Sequence, residues 1–80
     1  MEHTLLTLCD LPLGTNGRII SLFSHGAQRR RMLDLGLIPG TRVCALQKSP
    51  FGDPTAYFVR GAVIALREED AQKITVSAGI

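Results

Sequence analysis

Apolar and polar positions change rhythm several times along this chain, and each change marks an element. Leu5, Leu6, Leu8 and Leu11 crowd the start until Pro12 and Gly14 interrupt them, which predicts a short strand or extended lead-in breaking at Leu13-Gly14. Within Thr15 to Phe23, the run Arg18-Ile19-Ile20-Ser21-Leu22-Phe23 is β-branched and aromatic enough for a strand, buried on both faces for part of its length. Asn16-Gly17 tolerates positive φ and predicts a turn or bulge at that strand's entrance. Ser24 is the N-cap candidate for a helix from about His25 to Leu35, with Gln28, Met32 and Leu35 in i, i+4, i+7 rhythm. Gly36 suits the left-handed position that ends a helix, and Pro39 forbids continuation. Leu37 and Ile38 lie in the exit segment, where they can fold back onto the helix end. Pro39-Gly40 turns the chain onward.

Strand rhythm then takes over. Thr41 to Lys48 alternates, with Val43, Ala45 and Gln47 on one side and Arg42, Cys44 and Leu46 on the other. Ser49 to Thr55 holds two prolines and a glycine and is the largest irregular loop. Ala56–Val59 and Ala62–Leu66 read as strands joined by a tight turn at Arg60-Gly61, where Gly61 supplies the needed freedom. Arg67 to Gln72 predicts one helical turn, with Glu68, Glu69 and Asp70 at its positive end. Ile74 to Val76 is a last strand, and Ser77 to Ile80 should fray. About five short antiparallel strands with one inserted helix and one short helical turn predict a mainly β fold: a small SH3-like partial barrel in one domain over 1–80. Bending the sheet protects edges that so small a core leaves uncovered.

Composition sets limits on this picture. With 45% apolar and 20% charged residues the chain is too apolar to be disordered, and its four aromatics leave an aliphatic core. A net charge of +2 gives no broad basic field for nucleic acid, although Arg29, Arg30 and Arg31 concentrate charge locally. No apolar run approaches the ~20 residues that span a bilayer, and Met1 to Thr4 lacks the pattern of a signal peptide. A cytoplasmic location is expected. Cys9 and Cys44, without CxxC or CxxH spacing, read as small buried hydrophobes.

The specific phrases are Leu8-x-x-Leu11-Pro12-x-Gly14, Arg31-Met32-Leu33-Asp34-Leu35-Gly36-Leu37-Ile38-Pro39-Gly40, Gly52-Asp53-Pro54, Arg60-Gly61 and Ala65-Leu66-Arg67. In this order the chain resembles the ferrous iron transport protein A (FeoA) family over nearly its whole length, with Met32 in place of a usual Leu. The resemblance implies an SH3-like cytoplasmic accessory of a membrane ferrous iron transporter of FeoB type, whose cytoplasmic part is a G-protein domain. The same domain type ends metal-dependent transcriptional repressors. No winged-helix region precedes it here, so the stand-alone role is expected.

Candidate contacts follow. On the helix, Arg29 and Arg30 supply charge, and Leu33 and Leu37 an apolar edge that also suits self-association; the alternative is a solvated face over a packed one. Phe51, between Pro50 and Gly52, marks either a contact at a loop tip or a cap folded over the barrel end. Gly36, Pro39, Gly40, Gly52, Asp53, Pro54 and Gly61 are expected to shape turns, with Asp53 in an Asx-type turn. His3, His25, Cys9, Cys44, Asp10 and Asp34 are the other metal-donor types, and none is spaced to a second strong ligand, so no metal site and no cofactor is expected. No nucleophile stands beside a base and no phosphate loop is present, which argues against an enzyme. Two alternatives to docking remain: a metal-responsive domain using Cys9, Cys44 and a His, and a nucleic-acid binder with Arg29–Arg31 and Arg42 on one face, which would bind with steep salt dependence.

Overall fold

Six strands, two helices and a 3-10 turn follow one another in a computed structural model that describes residues 3–79, with the backbone alone at His3. The strands are β1 (His3–Thr7), β2 (Asn16–Leu22), β3 (Arg42–Lys48), β4 (Thr55–Val59), β5 (Ala62–Leu66) and β6 (Ile74–Gly79). The helices are α1 (Gly26–Asp34) and α2 (Glu68–Ala71), and Leu8–Asp10 forms the 3-10 turn. All pairings are antiparallel, in the order β1-β6-β2-β3-β4-β5. The fold is mainly β, as expected, with six strands rather than about five. The additional strand is the lead-in: His3 to Thr7 pairs along β6, from His3 opposite Gly79 to Thr7 opposite Thr75. That pairing also corrects the expected fraying, because Ser77 and Ala78 lie between β1 and β2 with partners on both sides; Ile80 lies outside the described residues.

One face of the sheet curls around Leu8, Leu11, Ile19, Val43, Tyr57, Leu66, Ile74 and Val76, which are almost wholly buried. Two bulges break the alternation. Ile20 stands between the pairs Ile19–Val76 and Ser21–Thr75, and Leu46 between Ala45–Tyr57 and Gln47–Ala56. Ile20 and Leu46 stay outward, and the extra residue shifts the positions after them, so Leu22 is buried and Gln47 exposed. This replaces the expected two-faced burial of β2. Gly17 is not in a turn either: it sits within β2, and a Cβ there would stand 3.4 Å from Leu11 Cδ1 and from the Ser77 carbonyl oxygen.

The hairpin joining β4 to β5 has positive φ at both Arg60 (50°) and Gly61 (84°), the primed turn whose twist matches the flanking strands. Helix α1 begins a residue after expectation, with His25 at the N-cap; Ser24 is buried beside it, and His25 makes no side-chain cap bond. Gln28, placed on the buried side by rhythm, is exposed. The sheet is not closed by strand pairing between β1 and β5. Its two ends meet through the core, where the Tyr57 hydroxyl donates to the Leu8 carbonyl at 3.3 Å.

Candidate functional site

The exit of α1 determines which leucines face outward. Gly36, at φ +96°, lets its amide donate to the Leu33 carbonyl and the Leu37 amide donate to the Met32 carbonyl, both at 3.0 Å. These are the two bonds of a Schellman ending, whose usual apolar contact joins the residue after the glycine to the helix position five residues earlier. Leu37 and Met32 fill those places, and both are 0% exposed. The expected apolar edge at Leu37 is therefore absent: Leu37 belongs to the core. Leu33 is half-buried against that core and still lines an open groove with Gly26, Arg29, Arg30 and Asp34. Arg29 donates to the Leu22 carbonyl at 3.1 Å, which ties the helix to the end of β2. Arg30 is exposed.

The 49–54 loop is braced from within. Gly52 N–H donates to the Ser49 carbonyl (2.8 Å), Ser49 Oγ to the Asp53 carbonyl (2.7 Å), and Ser49 N–H to the Pro54 carbonyl (3.0 Å). Phe51 projects from its tip at 96% exposure, so it does not cap the barrel end. Asp53 acts beyond the loop rather than in the expected Asx turn. Its Oδ1 accepts the Glu68 amide at 2.8 Å, and Oδ2 lies 3.9 Å from Arg67. An N-terminal amide of α2 thus finds its acceptor in a residue distant in sequence, since Arg67 at the N-cap makes no side-chain bond. Asp70 is buried and faces Arg31 at 4.0 Å, linking α2 to α1.

The candidate metal donors are scattered. His25 begins α1 and Asp34 ends it, Cys9 and Asp10 occupy the 3-10 turn, Cys44 is on β3, and the side chain of His3 lies outside the described residues. Among the described residues no three His, Cys, Asp or Glu side chains converge. Both thiols are free and half-exposed rather than buried. The arginines do not gather as the nucleic-acid alternative requires. Arg31 faces Asp70, while Arg42 stands on β3 opposite Arg18 of β2. The Arg18–Arg42 opposition was not legible in the sequence, because it depends on strand register.

The buried Tyr57 phenol departs clearly from its ordinary value. Burial holds the Tyr57 phenol neutral and pushes its pKa up to about 12, since a phenolate there would lose its hydration.

A bent antiparallel sheet with a helix inserted between β2 and β3 defines a small SH3-like β-domain. The chain belongs to the FeoA family: the FeoA domain model matches residues 6–78. A Fe(2+) transport protein A/Fe(2+) transporter FeoB fusion protein of Porphyromonas gingivalis is 32% identical over 71 residues, covering 89% of this chain; the chain spans only 8% of that protein's length. The solution structure of the FeoA protein from Chlorobium tepidum is similar with a TM-score of 0.87 and 32% identity, over 94% of this chain and 71% of that one. The crystal structure of Stenotrophomonas maltophilia FeoA complexed with zinc, described as an SH3 domain protein, has a TM-score of 0.78 and 32% identity, over 89% and 88% of the two chains. The family is one of ferrous iron transport. No helix of the described residues is long and apolar enough to cross a membrane.

Proposed function

We propose that this chain is a cytoplasmic accessory of ferrous iron uptake that docks onto the cytoplasmic G-protein region of a FeoB-type membrane transporter and modulates it. The observation that carries this reading is the Porphyromonas gingivalis fusion, in which a similar segment shares one chain with such a transporter. A tether of that kind holds two modules at high effective concentration, which is useful where their contact is weak and functional. The contact surface we assign is the outer face of α1 (Arg29, Arg30 and half-buried Leu33) together with Phe51. Docking can bias the transporter only as far as it favours one of its states over another.

Calorimetric titration of the chain into the transporter's cytoplasmic domain, with and without guanine nucleotide, tests the reading. Saturable binding that differs between nucleotide states is expected. Phe51→Ser and Leu33→Gln should weaken binding by about tenfold or more, the scale of an interface anchor. A well-folded chain that binds in neither nucleotide state overturns docking.

The zinc bound by the Stenotrophomonas protein favours a second reading, a metal-responsive domain. A rise in melting temperature on adding ferrous iron or zinc under reducing conditions would support that alternative.

A further inference from the structure

The outward face of the sheet carries a basic row beside an apolar one, and neither has a partner within the described chain. Arg18 and Arg42 lie directly opposite one another on β2 and β3. Like charges so placed on one sheet face repel, and a carboxylate between them would relieve it. None is there: the ion pairs among the described residues join Arg31 to Asp70 and Arg67 to Asp53. Arg18 donates to the Gly40 carbonyl at 3.0 Å, which fixes its direction without neutralising it. Arg60 continues the row at the β4–β5 turn, its stem held over Gly36, where a Cβ would come within 3.1 Å of its Cδ. Two shallow grooves, one lined by Arg18 and Arg42 and the other by Arg42 and Arg60, meet at Arg42 and Asn16; neither has an acidic residue in its walls.

The neighbouring row is apolar. Cys44 pairs with Phe58, and Phe58 with Val63, all on the outward face; Phe58 is 45% and Val63 63% exposed. Cys44 and Phe58 line the same groove as Arg42 and Arg60. Two large exposed side chains in register on an edge hairpin, flanked by three guanidinium groups, mark a surface built to be covered. Arginine rather than lysine suits planar carboxylates, which it binds through paired N–H groups. Of the described acidic residues, Asp10, Asp34, Asp53, Glu68, Glu69 and Asp70, none lines either groove.

We infer that this face binds an acidic segment of a protein partner with interspersed apolar side chains: carboxylates on Arg18, Arg42 and Arg60, apolar groups on Phe58 and Val63. The surface contains no residue of α1, and the inference holds whichever protein carries the segment. Nucleic acid fits less well, since one aromatic is no stacking platform and the apolar row has no base to meet.

The test is an NMR titration of the isotope-labelled chain with a synthetic peptide of glutamate interspersed with leucine, against a lysine–leucine peptide, a single-stranded RNA oligomer and phosphatidylglycerol vesicles. Saturable shifts at Asn16–Arg18, Arg42–Cys44 and Phe58–Val63, from the acidic peptide alone, are expected. Arg42→Glu should weaken that binding by at least about tenfold. It should also leave the melting temperature unchanged or higher, because it turns a like-charge opposition into an ion pair; Phe58→Ser should weaken binding without changing salt dependence. Binding by the Arg42→Glu chain within about twofold of the original, shifts confined to α1 or α2, or tighter binding to RNA or vesicles would each overturn the inference. Self-association of the chain abolished by Arg42→Glu would assign the face to a second copy instead, and overturn it too.

Discussion

The two helices of this domain are integrated in inverse proportion to their length. Helix α1 has nine residues, and only Met32 among them is buried; Leu33 lies half in the core and the rest of its surface faces outward. Helix α2 has four residues, of which Asp70 and Ala71 are buried. It receives Asp53 Oδ1 at its first amide, faces Arg31 through Asp70, and rests against the 3-10 turn at Leu8–Asp10. A helix that contributes one buried side chain leaves most of its face open to change, whereas α2 is a clasp between parts far apart in sequence. The contrast leaves most of α1 and the outer sheet face open to solvent, and places structural necessity on α2 and on the exit of α1.

The largest effect should come where α1 does reach the core. Leu37→Ala removes a wholly buried side chain and leaves a cavity, so urea unfolding should show a loss of about 2–5 kcal/mol. For a chain of this length that is a large share of a total on the order of 4–12 kcal/mol. The equivalent truncation at fully projecting Phe51 should cost less than about 0.5 kcal/mol. Equal losses at the two sites would break the distinction between anchored and free apolar groups. The pair also guards against misreading: lost partner binding in a Leu37 variant would report unfolding, not a contact.

A smaller effect tests the clasp. Asp53→Ala removes the acceptor for the Glu68 amide, and losing a helix-terminal acceptor costs about 0.5–2 kcal/mol. Hydrogen exchange should accelerate at Asp70 to Gln72, whose amides bond within α2, while the protection of α1 amides stays near its original level. Acceleration spread evenly over both helices would show that α2 is no separate clasp.

Much of this was legible along the chain, for identifiable reasons. The end of α1 at Gly36, the Arg60-Gly61 hairpin and the turn at α2 depend on neighbours in sequence, and local chemistry dictates them. The missed features depend on distant partners or on bulges. Ser77 and Ala78 form a poor strand by composition, yet β1 and β2 pair with them from both sides. The burial of Leu22 and the exposure of Gln47 follow from bulges that no periodicity announces. The Arg18–Arg42 opposition needs a register. Leu37 is different, because the burial of the residue after a helix-ending glycine is a property of the Schellman motif, and Met32 five positions earlier was its visible partner. Of the expected contacts, Arg29 and Arg30 are exposed and Leu33 is half-buried, while Phe51 projects and so decides between the tip and the cap that its sequence left open.

The foundation under α2 has a signature in alkaline solution. Tyr57 is buried on β4, and its hydroxyl donates to the carbonyl of Leu8, in the 3-10 turn against which α2 packs. Burial raises the phenol's pKa to about 12, whereas an unfolded tyrosine titrates near ~10. Below the unfolded value both states keep the proton, and this group gives stability no pH dependence. As pH rises past it the unfolded chain releases a proton that the folded chain retains, so stability falls over the window from about 10 to 12. Tyr57→Phe should abolish that part of the decline, while costing at neutral pH no more than a single, rather long hydrogen bond. Urea midpoints measured from pH 8 upward on both chains would check this. Parallel alkaline declines in the two would show that Tyr57 is not the group responsible.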